Sequence, residues 1–335
     1  MMSPAEGLEA LERALEPIDR VLIVTHINPD GDAVGSALGI RGILEATGKS
    51  TEIVISDSIA RKYQFLIDRP VLKFDDPILS NLSEKELFQM VIFVDTSERE
   101  RVGPVLDHLH DWLVQGAPEV NIDHHVSNDC FGDIVIVDPE RASSAELVLR
   151  MAETLGVDCT SVIADQLFAA VLTDTGRFQF SNTDAHSLRA AASLVAAGAD
   201  PSLIARRIYF ERPVPFFRLL GHLLSTIDLY HGGRTCLMIM PRELATKFFP
   251  DGHLDSEGIV DYTMQVEGVE VGIFIRQTGD GVYRASLRSR GRVDVRLIAE
   301  VFGGGGHEKA SGCEVRGSLE KVKDNIVSEV VKWLS

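Results

Sequence analysis

Short, continuously apolar runs alternate with longer helical stretches through the first half of the chain. Val21 to Val24 reads as a buried strand and Ala33 to Ala46 as a helix. Ile53 to Ile55, Val91 to Val94, Val120 to Ile122 and Ile134 to Val137 are further short runs rich in β-forming residues. Strands alternating with helices predict a parallel α/β sheet. Ahead of them, Leu8, Leu11 and Leu15 recur at helical spacing among acidic residues and predict a surface helix. From Ser143 to about Leu224 the pattern turns helical. Ser143 and Glu146 have the spacing of a capping box, Val162 to Leu172 is an apolar helix, and Asp200-Pro201 and Pro213 open two more. The last third changes again. Arg234 to Met240 reads as a strand, and Val269 to Arg276 and Val282 to Arg288 flank the turn Gly279-Asp280-Gly281. A helix over Val295 to Phe302, a four-glycine loop and a final helix over Leu319 to Leu334 follow. The pattern thus predicts an α/β protein: a parallel-sheet domain over 1–195, a helical linker over 196–225 and a smaller α+β domain over 226–335.

Composition narrows the class. At 335 residues, 45% hydrophobic and 25% charged, the chain suits two ordinary globular domains. Its net charge of −17 argues against long duplex nucleic acid as a partner, since duplex binders present a basic surface. A small anionic substrate in one local basic pocket stays compatible. Four scattered cysteines without a CxxC pair fit a reducing cytoplasm better than a disulfide framework or a cysteine zinc site. The N-terminus lacks the basic and apolar regions of a signal peptide, and no apolar run is long enough to span a bilayer, so no membrane partner is expected.

Several predicted strands run straight into polar residues: VLIVTH, VIFVDT and VNIDHH. In open α/β sheets ligands bind at the carboxyl ends of strands, so the chemistry collects on one edge. His26, Asp30 and Asp32 follow the first strand in a Gly/Pro-containing loop that opens a helix. Hard carboxylate oxygens with an imidazole suit Mn²⁺, Mg²⁺ or a similar ion, although the segment alone also reads as a turn with an Asp cap. Asp95 ends VIFV as either a ligand or a helix cap. Asp123-His124-His125 ends a third strand, and adjacent histidines there are hard to explain by packing. Asp174 ends the apolar helix. Five carboxylates and three histidines at the ends of buried elements would repel and desolvate one another without cations. A metal pair sharing one carboxylate, roughly 3.5–4 Å apart, removes that conflict.

The ordered set DGDAVGS, VDTSERERVG, IDHHVSN and TDTGRF, with GGGGHEKASG near the C-terminus, resembles the DHH phosphoesterases with an associated DHHA1 domain. The length resembles their standalone branch of bifunctional oligoribonucleases and PAP phosphatases. The resemblance implies an N-terminal DHH domain, a C-terminal DHHA1 domain and an active cleft between them. It implies that His26 and Asp30 bind one metal, that Asp32, His124 and Asp174 bind the other, and that Asp95 is shared. His125 would face the scissile phosphate or orient a ligand, and Asp123 would hold an imidazole in its tautomer. Asp95 and His125 are thus the expected catalytic residues. Two divalent ions are implied, Mn²⁺ first, with Mg²⁺ or Co²⁺ as alternatives. A related inorganic pyrophosphatase branch shares the DHH half, but its basic serine-lysine motif is missing here.

The C-terminal segment has its own physical case. Arg276 to Arg316 holds eight Lys and Arg against five Asp and Glu, an excess of three in an acidic chain. Arg288 lies in SLRSRGR, and Gly304, Gly305 and Gly306 can offer bare N–H groups to an anion just before His307. These five are the expected substrate-binding residues. The expected reaction is hydrolysis of short single-stranded RNA and 3′-phosphoadenosine 5′-phosphate to mononucleotides. Cyclic dinucleotide hydrolysis is the alternative, and a nucleotide-sensing module without turnover is a second. The oligomeric state, a homodimer included, stays open.

Overall fold

A computed structural model describes residues 3–252, 254–256 and 258–334. The chain forms two compact units, Met1–Glu211 and Arg212–Ser335. In the first, the order is α1 (Pro4–Leu15), β1 (Arg20–Thr25), α2 (Gly31–Ala46), β2 (Ser50–Ile55), β3 (Leu72–Lys73), β4 (Met90–Val94), α3 (Val105–Trp112), β5 (Glu119–Asp123), β6 (Ile134–Val137), α4 (Ser144–Thr154), α5 (Ser161–Asp174), α6 (Ala185–Ala196) and α7 (Pro201–Ala205). The strands form one parallel sheet in the order β3-β2-β1-β4-β5-β6.

The middle of β1 and all of β4 are continuously apolar because both faces of the sheet are covered there. Val21, Ile23 and Ile92 pack in the core shared with α1, α2, α4 and α5, while Leu22, Val24, Val91 and Phe93 pack with Val105, Leu109 and Trp112 of α3. The predicted N-terminal helix is α1. It begins at a Ser3/Glu6 capping box and buries Leu8, Leu11 and Leu15. The order of the strands reverses between β1 and β4, which pair with each other while their chains continue to opposite sides. Such a reversal opens a crevice at the strands' carboxyl ends, because the flanking connections leave in opposite directions.

One packing feature positions that crevice's walls. Gly31, Gly35, Gly39 and Gly42 line the side of α2 against α5, and a Cβ at Gly35 would collide with the Gln166 carbonyl and a Cβ at Gly39 with Leu167. Their bareness lets the two backbones approach closely. Gly31 packs on Thr173, so the start of α2 lies beside the end of α5. This brings the Asp30–Asp32 segment to Asp174.

The second unit runs α8 (Val214–Leu224), β7 (Asp228–Tyr230), β8 (Thr235–Met240), α9 (Arg242–Phe248), β9 (Val271–Gly279), β10 (Val282–Ser289), α10 (Val295–Glu300), β11 (Gly305–His307), β12 (Ala310–Arg316) and α11 (Leu319–Val331). Its sheet has the order β11-β12-β10-β9-β8-β7 and is antiparallel except for β8 beside β9. The β9–β10 hairpin turns at Gly279-Asp280-Gly281 as predicted. The stretch 196–225 is shared: α7 and the π-helical turn Arg206–Phe210 end the first unit, and α8 begins the second.

Two local expectations are corrected. The four glycines are not a free loop. Gly305 and Gly306 pair with Gly312 and Ser311 as edge strand β11, and the Gly304 N–H donates to the Ala299 carbonyl at 2.9 Å. The glycines are needed because a Cβ at Gly304 would strike the Gly312 carbonyl. Nor does Ser143 form a capping box. It is the N-cap of α4, but its hydroxyl caps nothing, and Glu146 instead accepts the Ala142 N–H at 3.0 Å. The first amides of α4 are satisfied from α2, as described next.

Candidate metal centre

Thr25 ends β1 and the chain breaks into a loop that places His26 just past the strand. The His26 Nδ1 lies 2.8 Å from the Ile27 carbonyl, which leaves Nε2 facing Asp95 Oδ2 at 3.5 Å. Asp30 is the N-cap of α2, its Oδ1 accepting from the amides of Asp32 and Ala33 at 3.0 and 3.1 Å. Asp32, in the first turn, is buried and receives three hydrogen bonds: the Ser144 amide at 2.6 Å, the Ala145 amide at 3.2 Å and the Ser36 hydroxyl at 3.0 Å. Asp32 therefore does for α4 what its own N-cap does not, with a carboxylate at the positive end of a helix.

Asp95 follows β4 with φ +55°, a left-handed conformation that Asp tolerates better than most residues. Its amide donates to the Ile122 carbonyl at 2.9 Å, and its Oδ1 accepts from the Ser144 hydroxyl at 3.1 Å. Asp123 ends β5. Its Oδ1 accepts from the His124 amide at 2.8 Å and lies 2.7 Å from His125 Nδ1, so Asp123 fixes the tautomer that leaves His125 Nε2 outward of the pair. His124 Nδ1 lies 3.2 Å from the Arg141 carbonyl. Its Nε2 faces Asp174 Oδ2 at 3.3 Å, Asp95 Oδ1 at 3.6 Å and Asp32 Oδ2 at 3.7 Å.

The eight residues singled out in the first unit are therefore brought together. Their ligand atoms fall into overlapping groups, each within 4.8 Å internally: His26, Asp30 and Asp95; Asp32, His124 and Asp174; and Asp95, Asp123, His124 and His125. Asp95 faces both histidine sides. The electrostatics reflect the crowding. Burial opposes charge on both imidazoles, but Asp95 and Asp30 lift His26 to about 9, and Asp174, Asp32 and Asp95 lift His124 to about 10. Burial pushes Asp174 up to about 7, and burial with the Asp95 charge pushes Asp32 well above its usual range. Asp95 goes the other way: burial opposes its ionisation, yet His26, His125 and His124 hold it well below the usual carboxylate range.

The family model described as "DHH family, N-terminal domain" matches residues 20–173, and the "DHHA1 domain" model matches residues 253–335. A bifunctional oligoribonuclease and PAP phosphatase (NrnA) of Thermus thermophilus is 34% identical over 99% of this chain and 93% of its own. The chain belongs to the DHH family. The Bacillus subtilis protein of the same name is 27% identical over 91% of this chain and 92% of its own. A crystal structure of an exopolyphosphatase-related protein from Bacteroides fragilis superposes with a TM-score of 0.87 at 26% identity, covering 98% of this chain and 96% of that one.

DHH phosphoesterases depend on metal, and the donor set here fits divalent ions. It holds only carboxylate oxygens and imidazole nitrogens, and buried Asp174 Oδ2, which faces His124 Nε2, has no hydrogen-bond partner among the described residues. A cation removes both that deficit and the mutual repulsion of the carboxylates. The DHH centre also draws on residues that the sequence did not single out. Ser144 and Ser36 orient Asp32 and Asp95. Asn128 donates to Asp123 Oδ2 at 2.6 Å, its own oxygen fixed by the Cys130 amide at 2.6 Å. Asn128 stands five residues after Asp123 in IDHHVSN, a motif already quoted; nothing in the local pattern marks Ser144, which reaches the centre through α4.

In the DHHA1 unit, Arg288 Nε donates to Asp261 Oδ1 at 3.1 Å, and Arg290 donates to the Met264 carbonyl. Gly305, Gly306 and His307 form the edge strand, whose outer backbone edge stays unpaired within the sheet.

Proposed function

We propose that this chain hydrolyses short oligoribonucleotides and 3′-phosphoadenosine 5′-phosphate to mononucleotides with two divalent ions. The chemical class is hydrolysis of phosphoester bonds. The observation that carries the reading is the division of six ligand-type side chains into two sets of three, His26/Asp30/Asp95 and Asp32/His124/Asp174, with Asp95 also facing His124. The relatives named above support the substrate class.

In this reading His26, Asp30 and Asp95 would hold one ion and Asp32, His124 and Asp174 the other, with Asp95 within reach of both. When bound, the ions lower the pKa of a water and polarise the phosphoryl oxygens. Asp123 accepts the hydrogen bond of the His125 Nδ1–H, which leaves Nε2 as the nitrogen that would meet the phosphoryl group. Asp95 and His125 are the catalytic residues in this sense. Ser144 and Ser36 hold Asp32 and Asp95 in place before the substrate arrives. Arg288, Gly304, Gly305, Gly306 and His307 bind the nucleotide portion, Arg288 with its charge directed by Asp261. The proposal extends to Mn²⁺ as the ion, ahead of Mg²⁺ or Co²⁺, to domain limits at 1–195 and 226–335 about a linker, and to a cytoplasmic setting, which the four free cysteines support. Among the described residues no helix is long and apolar enough to cross a membrane.

The test is a turnover panel with Mn²⁺: pAp, pApA, a five-nucleotide RNA, cyclic di-AMP and pyrophosphate. Turnover of pAp, pApA and the short RNA is expected. Turnover of cyclic di-AMP alone, or of pyrophosphate alone, overturns the reading.

A further inference from the structure

Arg276 on β9 stands directly opposite Arg284 on β10. Like charges in opposed cross-strand positions destabilise a sheet unless something neutralises them. Among the described residues the carboxylates beside the pair are already engaged by other arginines, and the Asp255 charge offsets that of Arg276 less than Arg284 opposes it. Asp255, the acidic neighbour of Arg276, is held by Arg212 at 2.6 Å. Glu314, opposite Arg284 on the next strand, is held by Arg316 at 3.0 Å. Among the described residues, four arginines thus share two carboxylates, an excess of positive charge in a chain of net −17. Arg276 Nη1 donates to the Ser256 hydroxyl at 2.9 Å. Its guanidinium is held below its ordinary value, first by burial and then by the charge of Arg284.

The geometry continues along the strand. Tyr283, Ala285 and Leu287 of β10 face the core, so Arg284, Ser286 and Arg288 share the opposite face. Four residues of strand separate Arg284 from Arg288, about 13 Å at the usual rise. That is the reach of a few stacked nucleotides. We infer that the Arg276–Arg284 pair is a second phosphate-binding site, which takes a backbone phosphate of an oligonucleotide whose other part is held near Arg288. Two guanidiniums from neighbouring strands suit the oxygens of one phosphodiester, because each can donate in a fixed fork. The inference rests on the proposed oligonucleotide substrate. It adds that the DHHA1 sheet distinguishes a chain of several nucleotides from a mononucleotide bisphosphate.

The experiment uses the full chain and two variants, Arg284→Gln, at an exposed position, and Arg276→Lys, which keeps the charge but not the fork. In EDTA, a labelled trinucleotide is titrated by fluorescence anisotropy at several salt concentrations. The wild type is expected to bind, and Arg284→Gln to weaken binding about tenfold and to reduce the slope of log affinity against log salt by about 0.7, the loss of one single-strand contact. With Mn²⁺, the ratio of kcat/KM for the trinucleotide to that for pAp is expected to fall about tenfold in both variants. Unchanged trinucleotide affinity and slope in both variants overturn the inference and leave the proposed function standing. A wild type that binds the trinucleotide through the pair but turns over neither substrate overturns the function and not the inference. A wild type that does not bind the trinucleotide overturns both.

Discussion

At the scale of single residues, the centre is defined by charges that only make sense together. His26 and His124 are held up at about 9 and about 10, above an ordinary histidine near 6.5. A group raised in the folded state stabilises it fully below its unfolded value, and that contribution is lost as pH rises through the folded value. The metal-free protein is therefore expected to lose thermal stability between about pH 7 and pH 10. A divalent ion takes only neutral imidazole, so metal uptake at pH 7 must expel the protons of both rings. Apparent metal affinity should accordingly rise over the same interval in which the metal-free protein weakens. Calorimetry in two buffers of different ionisation enthalpy counts the protons; a metal affinity flat from pH 7 to 9 would contradict the assignment. Asp95 gives a second prediction. Asp95→Asn keeps a residue that accepts φ +55° and removes the charge that both histidine sides share. We expect a folded protein whose activity falls by more than the roughly 10- to 100-fold typical of losing a partner outside the ligand set. Near-normal turnover with unchanged metal content would remove Asp95 from the centre.

At the scale of elements, the centre depends on how α2 meets α5. Replacing glycine by alanine inside a helix ordinarily stabilises it by about 1 kcal/mol. At Gly35 the sign is expected to invert, because the added Cβ would collide with the Gln166 carbonyl. Gly35→Ala should cost about 1–3 kcal/mol, as overpacking does, and should lower activity by moving Asp32 away from Asp174. A raised melting temperature with full activity would show that α2 and α5 can separate without disturbing the site. This contact also shows what was legible in the sequence. The strands β1, β4 and β5 and the ligand-type residues at their ends stand out because each is a local event: a strand that stops at a carboxylate or a histidine. The glycine spacing of α2 is equally visible, but its meaning lies in α5, more than a hundred residues away. Ser144 carries no local signal, yet its hydroxyl donates to Asp95. The capping box at Ser143 failed for the same reason, since Asp32 from a distant helix supplies the cap. The glycine-rich segment read as a loop because short edge strands such as β11 carry too few side chains to show a period of two.

At the scale of the molecule, the proposed function gives the two units different kinds of work, and kinetics should separate them. If Arg288 holds the nucleotide as proposed, Arg288→Ala should raise KM with kcat little changed, whereas Asp32→Ala should lower kcat. A loss confined to kcat in the Arg288 variant would refute the binding role. The same division sets the length of substrate. A chain at −17 repels a polyanion wherever the polyanion runs past the basic face of the DHHA1 sheet, and at physiological ionic strength that repulsion acts over about 8 Å. A few phosphates can be neutralised by Arg276, Arg284 and Arg288; the phosphates beyond them meet the net negative charge of the chain. Duplex ends carry the further cost of unpairing, a few kcal/mol. The protein should therefore prefer single strands of a few nucleotides over long RNA and over any duplex. Few contacts also release few counterions, so salt should weaken short-substrate binding only modestly. A competition at fixed Mn²⁺ between a trinucleotide and an RNA many times longer, at two ionic strengths, reads both effects. Equal or better kcat/KM on the long RNA, or a steep salt dependence on the trinucleotide, would mean that the binding surface extends well past three arginines and that the acidic remainder of the chain does not limit substrate length.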